Sequence, residues 1–400
     1  MANKVELLSP AGDFNKGKFA LNYGADAIYL GAKAYSLRAR ASNFDFDELT
    51  KIIDYAHSLN KKIYLVTNIL CHNSHINSFD EFITKVIALK PDGFICADPF
   101  IINGIQKHTK DIEVHISTQQ SVCNSKAALF FKDNGASRVV LAREVAYQQI
   151  VDMIKNLNHA IDIEYFIHGA LCIAYSGRCM ISNNFSLRDS NVGGCSQSCR
   201  WVYKIYDEKQ TYSDKFSMSA KDMNQVTNIP KLIEAGIDSF KIEGRMKSEY
   251  YIATVVNTYK KIINEYYENH NIKDFSIYEK EIKNAENRKT SYGWFNGDPN
   301  KDEMLYHDVP NKVNQVFAFV VYKKQQDGSY SVISRNNFNK NQAFEIIGPN
   351  HQTLIVKINQ IFDEQNNLIE VVPTPMSKVR IKFDQEINLD PNDIARIFIK

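Results

Sequence analysis

Over roughly the first 270 residues, short apolar runs alternate with segments whose apolar residues recur every three or four positions. The runs predict strands at Val5–Ser9, Ala27–Gly31, Lys62–Asn68, Gly93–Asp98, Glu113–Gln119, Arg138–Ala142, Ile163–His168 and Ser239–Glu243. Between them the spacing predicts helices. Leu49, Ile52, Ile53, Ala56 and Leu59 trace one buried face, with Asp45 and Asp47 at the end where a helix dipole favours anions. Ile252, Val255, Val256, Tyr259, Ile262, Ile263 and Tyr266 repeat the pattern in a long helix after the eighth strand. Eight strand–helix units in about 270 residues have the usual size of a (β/α)8 TIM-like barrel, with an open doubly wound sheet as the alternative.

In such a barrel the chemistry sits where strands end and loops to the helices begin. The predicted ends are polar or small, among them Ser9-Pro10-Ala11-Gly12, Thr67-Asn68, Ser117-Thr118-Gln119, Arg143-Glu144, His168-Gly169 and Glu243-Gly244-Arg245. Period-two alternation turns Val114, Ile116, Phe240 and Ile242 toward the helices. It turns Glu113, His115, Ser117, Lys241 and Glu243 into the barrel. Buried charges need partners, so Glu113 and Lys241 read equally well as a structural ion-pair layer. His115 and Glu243 are expected nearer the mouth.

Residues 271–310 are polar and predict an irregular linker around Asn296-Gly297-Asp298-Pro299. Beyond it, Gln315–Tyr322, Ser329–Ser334, Ala343–Ile347, Thr353–Ile358, Leu368–Val372 and Lys378–Phe383 predict a small antiparallel β domain, a barrel or sandwich, over 311–400. The expected organisation is therefore an α/β barrel over 1–270, the linker, and this β domain.

The chain of 400 residues carries a net charge of +2, so any nucleic-acid contact must come from a local patch. No run approaches the roughly 18 apolar residues of a membrane span, and Met-Ala-Asn-Lys-Val-Glu does not open a signal sequence, which together predict a cytoplasmic protein. In a reducing compartment, clustered cysteines are ligands or catalysts before they are disulfides. Four of the seven cysteines fall in one insertion, 171–214, as Cys172-x6-Cys179-x15-Cys195-x3-Cys199. Four thiolates suit zinc or an iron–sulfur cluster, and the wide first interval departs from the short knuckle spacings of structural zinc. The radical S-adenosylmethionine pattern fails because the third position past Cys199 is Val202. Phosphate loops, the Rossmann fingerprint, H-E-x-x-H and G-x-S-x-G are also missing. Cys71, Cys96 and Cys123 stand alone and read as small buried residues, with Cys123 just past a strand end.

His168-Gly169-Ala170-Leu171-Cys172-Ile173-Ala174-Tyr175-Ser176-Gly177-Arg178-Cys179 resembles the signature of the collagenase-like peptidase family of unassigned catalytic type. Glu6-Leu7-Leu8-Ser9-Pro10-Ala11-Gly12, Arg188-Asp189 through Cys199-Arg200-Trp201, and Phe240-Lys241-Ile242-Glu243-Gly244-Arg245 resemble further motifs of it. The length, the paired Cys195 and Cys199 and the trailing β domain are most similar to members that act on tRNA. That resemblance implies hydroxylation of the anticodon wobble uridine to 5-hydroxyuridine, with prephenate rather than dioxygen as hydroxyl source. It further implies an iron–sulfur cluster, of the 4Fe–4S type, on Cys172, Cys179, Cys195 and Cys199. Other members imply ribosomal RNA as the substrate instead. By position, Arg38, Arg40, Arg143, Arg178 and Arg245 are candidates to bind a dicarboxylate, and His168, Glu243 and Tyr175 to act in catalysis. The competing classes are a peptidase, for which Ser176 with His168 is the available pair, and an RNA-binding scaffold whose metal only folds the loop.

Overall fold

The computed structural model describes residues 4–37, 43–204, 215–285, 288–300 and 315–398. Strands β1 (Glu6–Pro10), β2 (Ala27–Gly31), β3 (Lys62–Thr67), β4 (Gly93–Cys96), β5 (Glu113–Ile116), β6 (Arg138–Val140) and β7 (Asp162–Ala170) pair in parallel in chain order. Two short strands, β8 (Tyr203–Lys204) and β9 (Lys215–Phe216), then form a hairpin in the insertion, and β10 (Asp222–Asn224) follows. The eighth barrel strand, β11 (Ser239–Ile242), pairs in parallel with both β7 and β1. That double pairing closes the sheet into a barrel and removes the open-sheet alternative.

Helices α1 (Phe14–Asn22), α2 (Phe46–Ser58), α3 (Asn73–Ile87), α4 (Pro99–His108), α5 (Ser125–Asp133) and α6 (Tyr147–Leu157) follow the first six strands. The start of α2 shows why it begins there. Asp45 accepts from the Glu48 backbone while Glu48 accepts from that of Asp45, a capping box that satisfies two otherwise orphaned donors. Leu49, Ile52, Ile53 and Ala56 are buried as their spacing predicts, whereas Leu59 falls on the C-cap and is exposed.

The insertion carries α7 (Ile181–Ser186) and runs further than its polar sequence suggests. Strand β10 returns antiparallel to β7, and the barrel resumes only with α8 (Ile229–Ala235). The predicted linker needs a similar correction. Between the long α9 (Glu249–Asn269) and the β domain lie α10 (Phe275–Ala285), which packs on α9, and β12 (Thr290–Ser291), which pairs with β10.

The C-terminal strands are β13 (Gln315–Lys324), β14 (Tyr330–Ser334), β15 (Phe338–Asn339), β16 (Ala343–Ile347), β17 (Leu354–Phe362), β18 (Leu368–Ile369), β19 (Val371–Val372), β20 (Lys378–Phe383) and β21 (Ile394–Phe398). Ring pairing in the order β16, β21, β13, β14, β20, β17 and back to β16 makes an antiparallel barrel around its own core. Helices α1, α8 and α10 pack around α9 over β1, so residues all round that helix are buried, and the β-barrel meets its first turn through Arg335 on Glu249 and Phe317 on Tyr250. Arg396 crosses the junction, donating to Glu281 on α10, Glu345 on β16 and the Tyr250 hydroxyl on α9.

Candidate active site

The lower barrel interior is an ion-pair layer. Glu6 accepts from Arg138 (2.6 Å), the Tyr64 hydroxyl (2.6 Å) and Ser239 (2.8 Å). Glu164, fully buried, accepts from Lys241 at 2.6 Å and Arg138 at 3.3 Å. His115 belongs to this layer and not to the mouth: it bonds Glu113, its ring packs 4.5 Å from that of Tyr64, and it does not line the cavity above. Burial first, and then the Arg138 charge, hold its imidazole below the ordinary value, so the neutral ring bonds Glu113 through Nε2 at 2.8 Å. Glu113, the first residue of β5, is partly exposed and also meets Lys62, so both expected ion-pair residues have partners.

Above this layer a cavity of about 160 Å3 opens at the C-terminal ends of the strands. Tyr29, Val66, Ile95, Val140 and Phe166 give it an apolar floor. Its polar wall includes Asn68, Ser117, Gln119, Arg143, Lys241, Glu243 and Arg245. All four clustered cysteines line the upper side. Arg143 lies 4.2 Å over the Phe166 ring and 3.7 Å from Glu243. Arg245 is buried and donates to Ser36 at 3.1 Å across Gly31, where a Cβ would stand 2.6 Å from the guanidinium.

The insertion is held over the cavity by its own polar groups. Arg200 donates to Leu171 O, Ser219 Oγ and Ala220 O, tying the start of the excursion to its return. Ser176 adopts a left-handed conformation (φ 43°), with its N–H and hydroxyl both donating to Glu144, at 2.8 and 2.6 Å. Ser182, Ser186, Ser196 and Ser198 share a hydroxyl network between Cys179 and Cys199.

The cysteines are free thiols. Burial pushes Cys172 and Cys199 up, while Arg143 acts against this at Cys172 and Arg200 at Cys199. Cys179 and Cys195 add to the rise at Cys172, and Cys172, Cys195 and Cys179 to that at Cys199. Among the described residues, no group of three or more His, Cys, Asp or Glu is placed to hold a single metal ion. Four soft donors around one cavity, with guanidinium groups beside them, nonetheless fit the chemistry of a thiolate-held cluster.

Of the residues expected to act here, Glu243, Arg143, Arg245 and the four cysteines share the cavity. His168 does not line it. Its Nδ1 meets the Tyr259 hydroxyl at 3.2 Å on α9, and burial holds its pKa down at about 3, with Lys247 adding to the shift. The register slips between Lys241 and Ile242, so Phe166 pairs with Lys241 but His168 with Ile242, and the extra β7 residue turns His168 away. Tyr175 is exposed, its hydroxyl 3.0 Å from Cys123, and Arg178 is bound to Gln119 O and Gln120; neither lines the cavity. Arg38 and Arg40 lie outside the described residues. Ser176 bonds Glu144 and His168 bonds Tyr259, so the peptidase pair is not assembled. Cys71 and Cys96 are each pushed up to about 12, first by burial. The sequence placed Gln119 at a strand end of the mouth and Lys241 inside the barrel without marking either as a site residue, and both line the cavity.

Among the described residues, no helix is long and apolar enough to cross a membrane. The chain is 39% identical over 399 residues to the Bacillus subtilis (strain 168) "tRNA hydroxylation protein P1", covering 97% of this chain and 94% of that one. It is 36% identical over 266 residues to the Escherichia coli (strain K12) "23S rRNA 5-hydroxycytidine C2501 synthase", covering 66% of this chain and 40% of that one. An "Uncharacterized protease" of Methanocaldococcus jannaschii is 35% identical over 321 residues, with 78% of each chain covered. Family models agree with the division of the fold, "Peptidase family U32" matching residues 12–305 and "Peptidase family U32 C-terminal domain" residues 313–396. A closed barrel with a thiol-lined mouth and a trailing β-barrel, matched along nearly its whole length, makes this chain a member of peptidase family U32.

Proposed function

We propose that this chain is an RNA hydroxylase, and more narrowly that it converts the wobble uridine of tRNA to 5-hydroxyuridine. Prephenate serves as hydroxyl source, and an iron–sulfur cluster is held by Cys172, Cys179, Cys195 and Cys199. The observation that carries the reading is the convergence of those four cysteines on one cavity with Arg143, Glu243 and Arg245. Relatives named for tRNA and rRNA hydroxylation support the reaction class.

Held by Cys172, Cys179, Cys195 and Cys199, a cluster would supply electron transfer or Lewis acidity toward a hydroxyl donor. The protein's own groups do the rest. Arg143 and Arg245 bind the carboxylates of a dicarboxylate donor, for which planar guanidinium groups are suited. Tyr29, Val66, Ile95 and Phe166 exclude water around its apolar portion. Glu243 moves a proton at its carboxylate, since His168 is turned away from the cavity toward Tyr259 on α9. His168 is thus a positioning residue that packs β7 on α9.

The test is anaerobic purification with iron and sulfide analysis, followed by mass spectrometry of tRNA from cells lacking this protein and supplied with wild type or Cys195→Ala. The expected result is about four iron and four sulfide per chain. Both the cluster and 5-hydroxyuridine should be lost in the variant. Stoichiometric zinc, or modification that persists without a cluster, would overturn the proposal.

A further inference from the structure

Gln119 lines the cavity and is 4% exposed, yet its side-chain Nε2 has no hydrogen-bond partner. The orientation of its amide follows from the bonds around it. The Leu37 backbone N–H donates to Asn68 Oδ1 at 3.2 Å, and a backbone donor cannot be reversed. Asn68 Nδ2 must therefore be the donor to Gln119 Oε1, at 2.7 Å, and the Ser117 hydroxyl donates to the same oxygen at 3.2 Å. Nε2 is left as the end that awaits an acceptor. A buried donor without one is costly, so a ligand bringing an oxygen to that spot recovers the loss.

We propose that Gln119 determines base specificity: its Nε2 donates to the exocyclic carbonyl of a keto pyrimidine seated in the cavity, selecting uracil over cytosine. This rests on reading the site as an RNA pyrimidine hydroxylase. Uracil presents a carbonyl acceptor where cytosine presents an amino donor, and two donors facing each other leave both unsatisfied. A neutral amide matches a neutral carbonyl, while the charged guanidinium groups of the same cavity match carboxylates. A base drawn into a small pocket is read along its pairing edge.

Gln119→Glu tests this with little else changed. It keeps the oxygen that accepts from Asn68 and Ser117 and replaces the free donor by a second acceptor, which suits the cytosine amino group. Asn68→Asp is the second variant. It still accepts from Leu37 but no longer donates to Gln119, so the Gln119 amide is free to turn. Competition binding uses two RNA hairpins that differ only by U or C at the target position, with thermal unfolding as the folding control. Wild type should prefer U by about tenfold. Gln119→Glu should abolish or invert that ratio, and Asn68→Asp should weaken it. An unchanged ratio in a folded Gln119→Glu protein, or no preference in wild type, overturns the inference. Hydroxylation with an unchanged ratio removes this inference and leaves the hydroxylase reading standing. The expected ratios without hydroxylated product do the reverse.

Discussion

Lys241 lines the cavity and also bonds Glu164 at 2.6 Å, so its role decides whether the lower barrel is scaffold or chemistry. Lys241→Met keeps most of the side-chain volume and removes the charge. Glu164, with no exposure to solvent, then keeps only Arg138 at 3.3 Å, a cation that also serves Glu6 and Asp162. Breaking a buried pair by removing one partner costs about 3–5 kcal/mol. The surviving arginine places this case near the lower end, about 3 kcal/mol, with the lost cation–π contact to Tyr29 at 4.5 Å included. Against a total stability of roughly 5–15 kcal/mol this is large.

Equilibrium urea unfolding at pH 7 measures it. The pH matters: burial raises the Glu164 pKa, but Lys241 and then Arg138 more than offset this and hold it below the ordinary 4.5. The stabilisation is therefore complete above 4.5 and is lost as pH falls through the lower folded value. Lys241→Met/Glu164→Gln should recover at least half of the loss, because the uncompensated carboxylate is gone. A single-variant loss below about 1 kcal/mol, with no recovery in the double variant, would refute the structural assignment and give Lys241 to the ligand.

Two further outcomes follow from the β7 geometry. His168, held at about 3 in the fold against 6.5 unfolded, makes stability fall as pH drops from 6.5 toward 3, by up to about 1.4 kcal/mol per pH unit. His168→Gln should flatten that acid limb in unfolding measured from pH 4 to 7, and an unaltered slope would show that another group carries it. Gly169 has φ 106°, and a Cβ there would lie 2.4 Å from the Glu243 carbonyl oxygen. Gly169→Ala should thus cost roughly 1–3 kcal/mol of strain and displace Glu243, lowering RNA hydroxylation more than RNA binding. Equal losses in the two assays would mean that Glu243 acts only in binding.

The barrel was legible because parallel strands buried on both faces read as apolar runs, and Ala27–Gly31 matches its strand to the residue. Strand β21 was not, since Arg396 sits in the middle of it, and a buried arginine is sustained only by Glu281 and Glu345 from distant parts of the chain. Helix α10 escaped for a different reason. Its buried face is thin, Ile282 and Ala285 with Phe275 and Tyr278 packed beside them, among many lysines and glutamates. At the site, the cysteines and the strand-end Arg143, Glu243 and Arg245 could be read from position alone. His168 could not, because alternation counts residues and a bulge adds one.

The irregular cysteine spacing has a structural reason that separates the roles open to the proposed cluster. A short 3-10 turn lies between Cys172 and Cys179, α7 between Cys179 and Cys195, and another 3-10 turn runs through Cys199. These pieces are joined by the serine hydroxyls, by Glu144 and by Arg200, none of which is among the four proposed cluster ligands. A loop shaped by its own hydrogen bonds does not depend on metal to fold, unlike a small zinc module whose binding energy is its folding energy. Cys195→Ala, the most exposed of the four thiols, should therefore strip iron while moving Tm by no more than about 1–2 °C, the equivalent of about 1 kcal/mol for a chain of 400 residues. A fall well beyond that, with the insertion becoming protease-sensitive, would mean that the metal folds the loop, and would move the scaffold role ahead of catalysis.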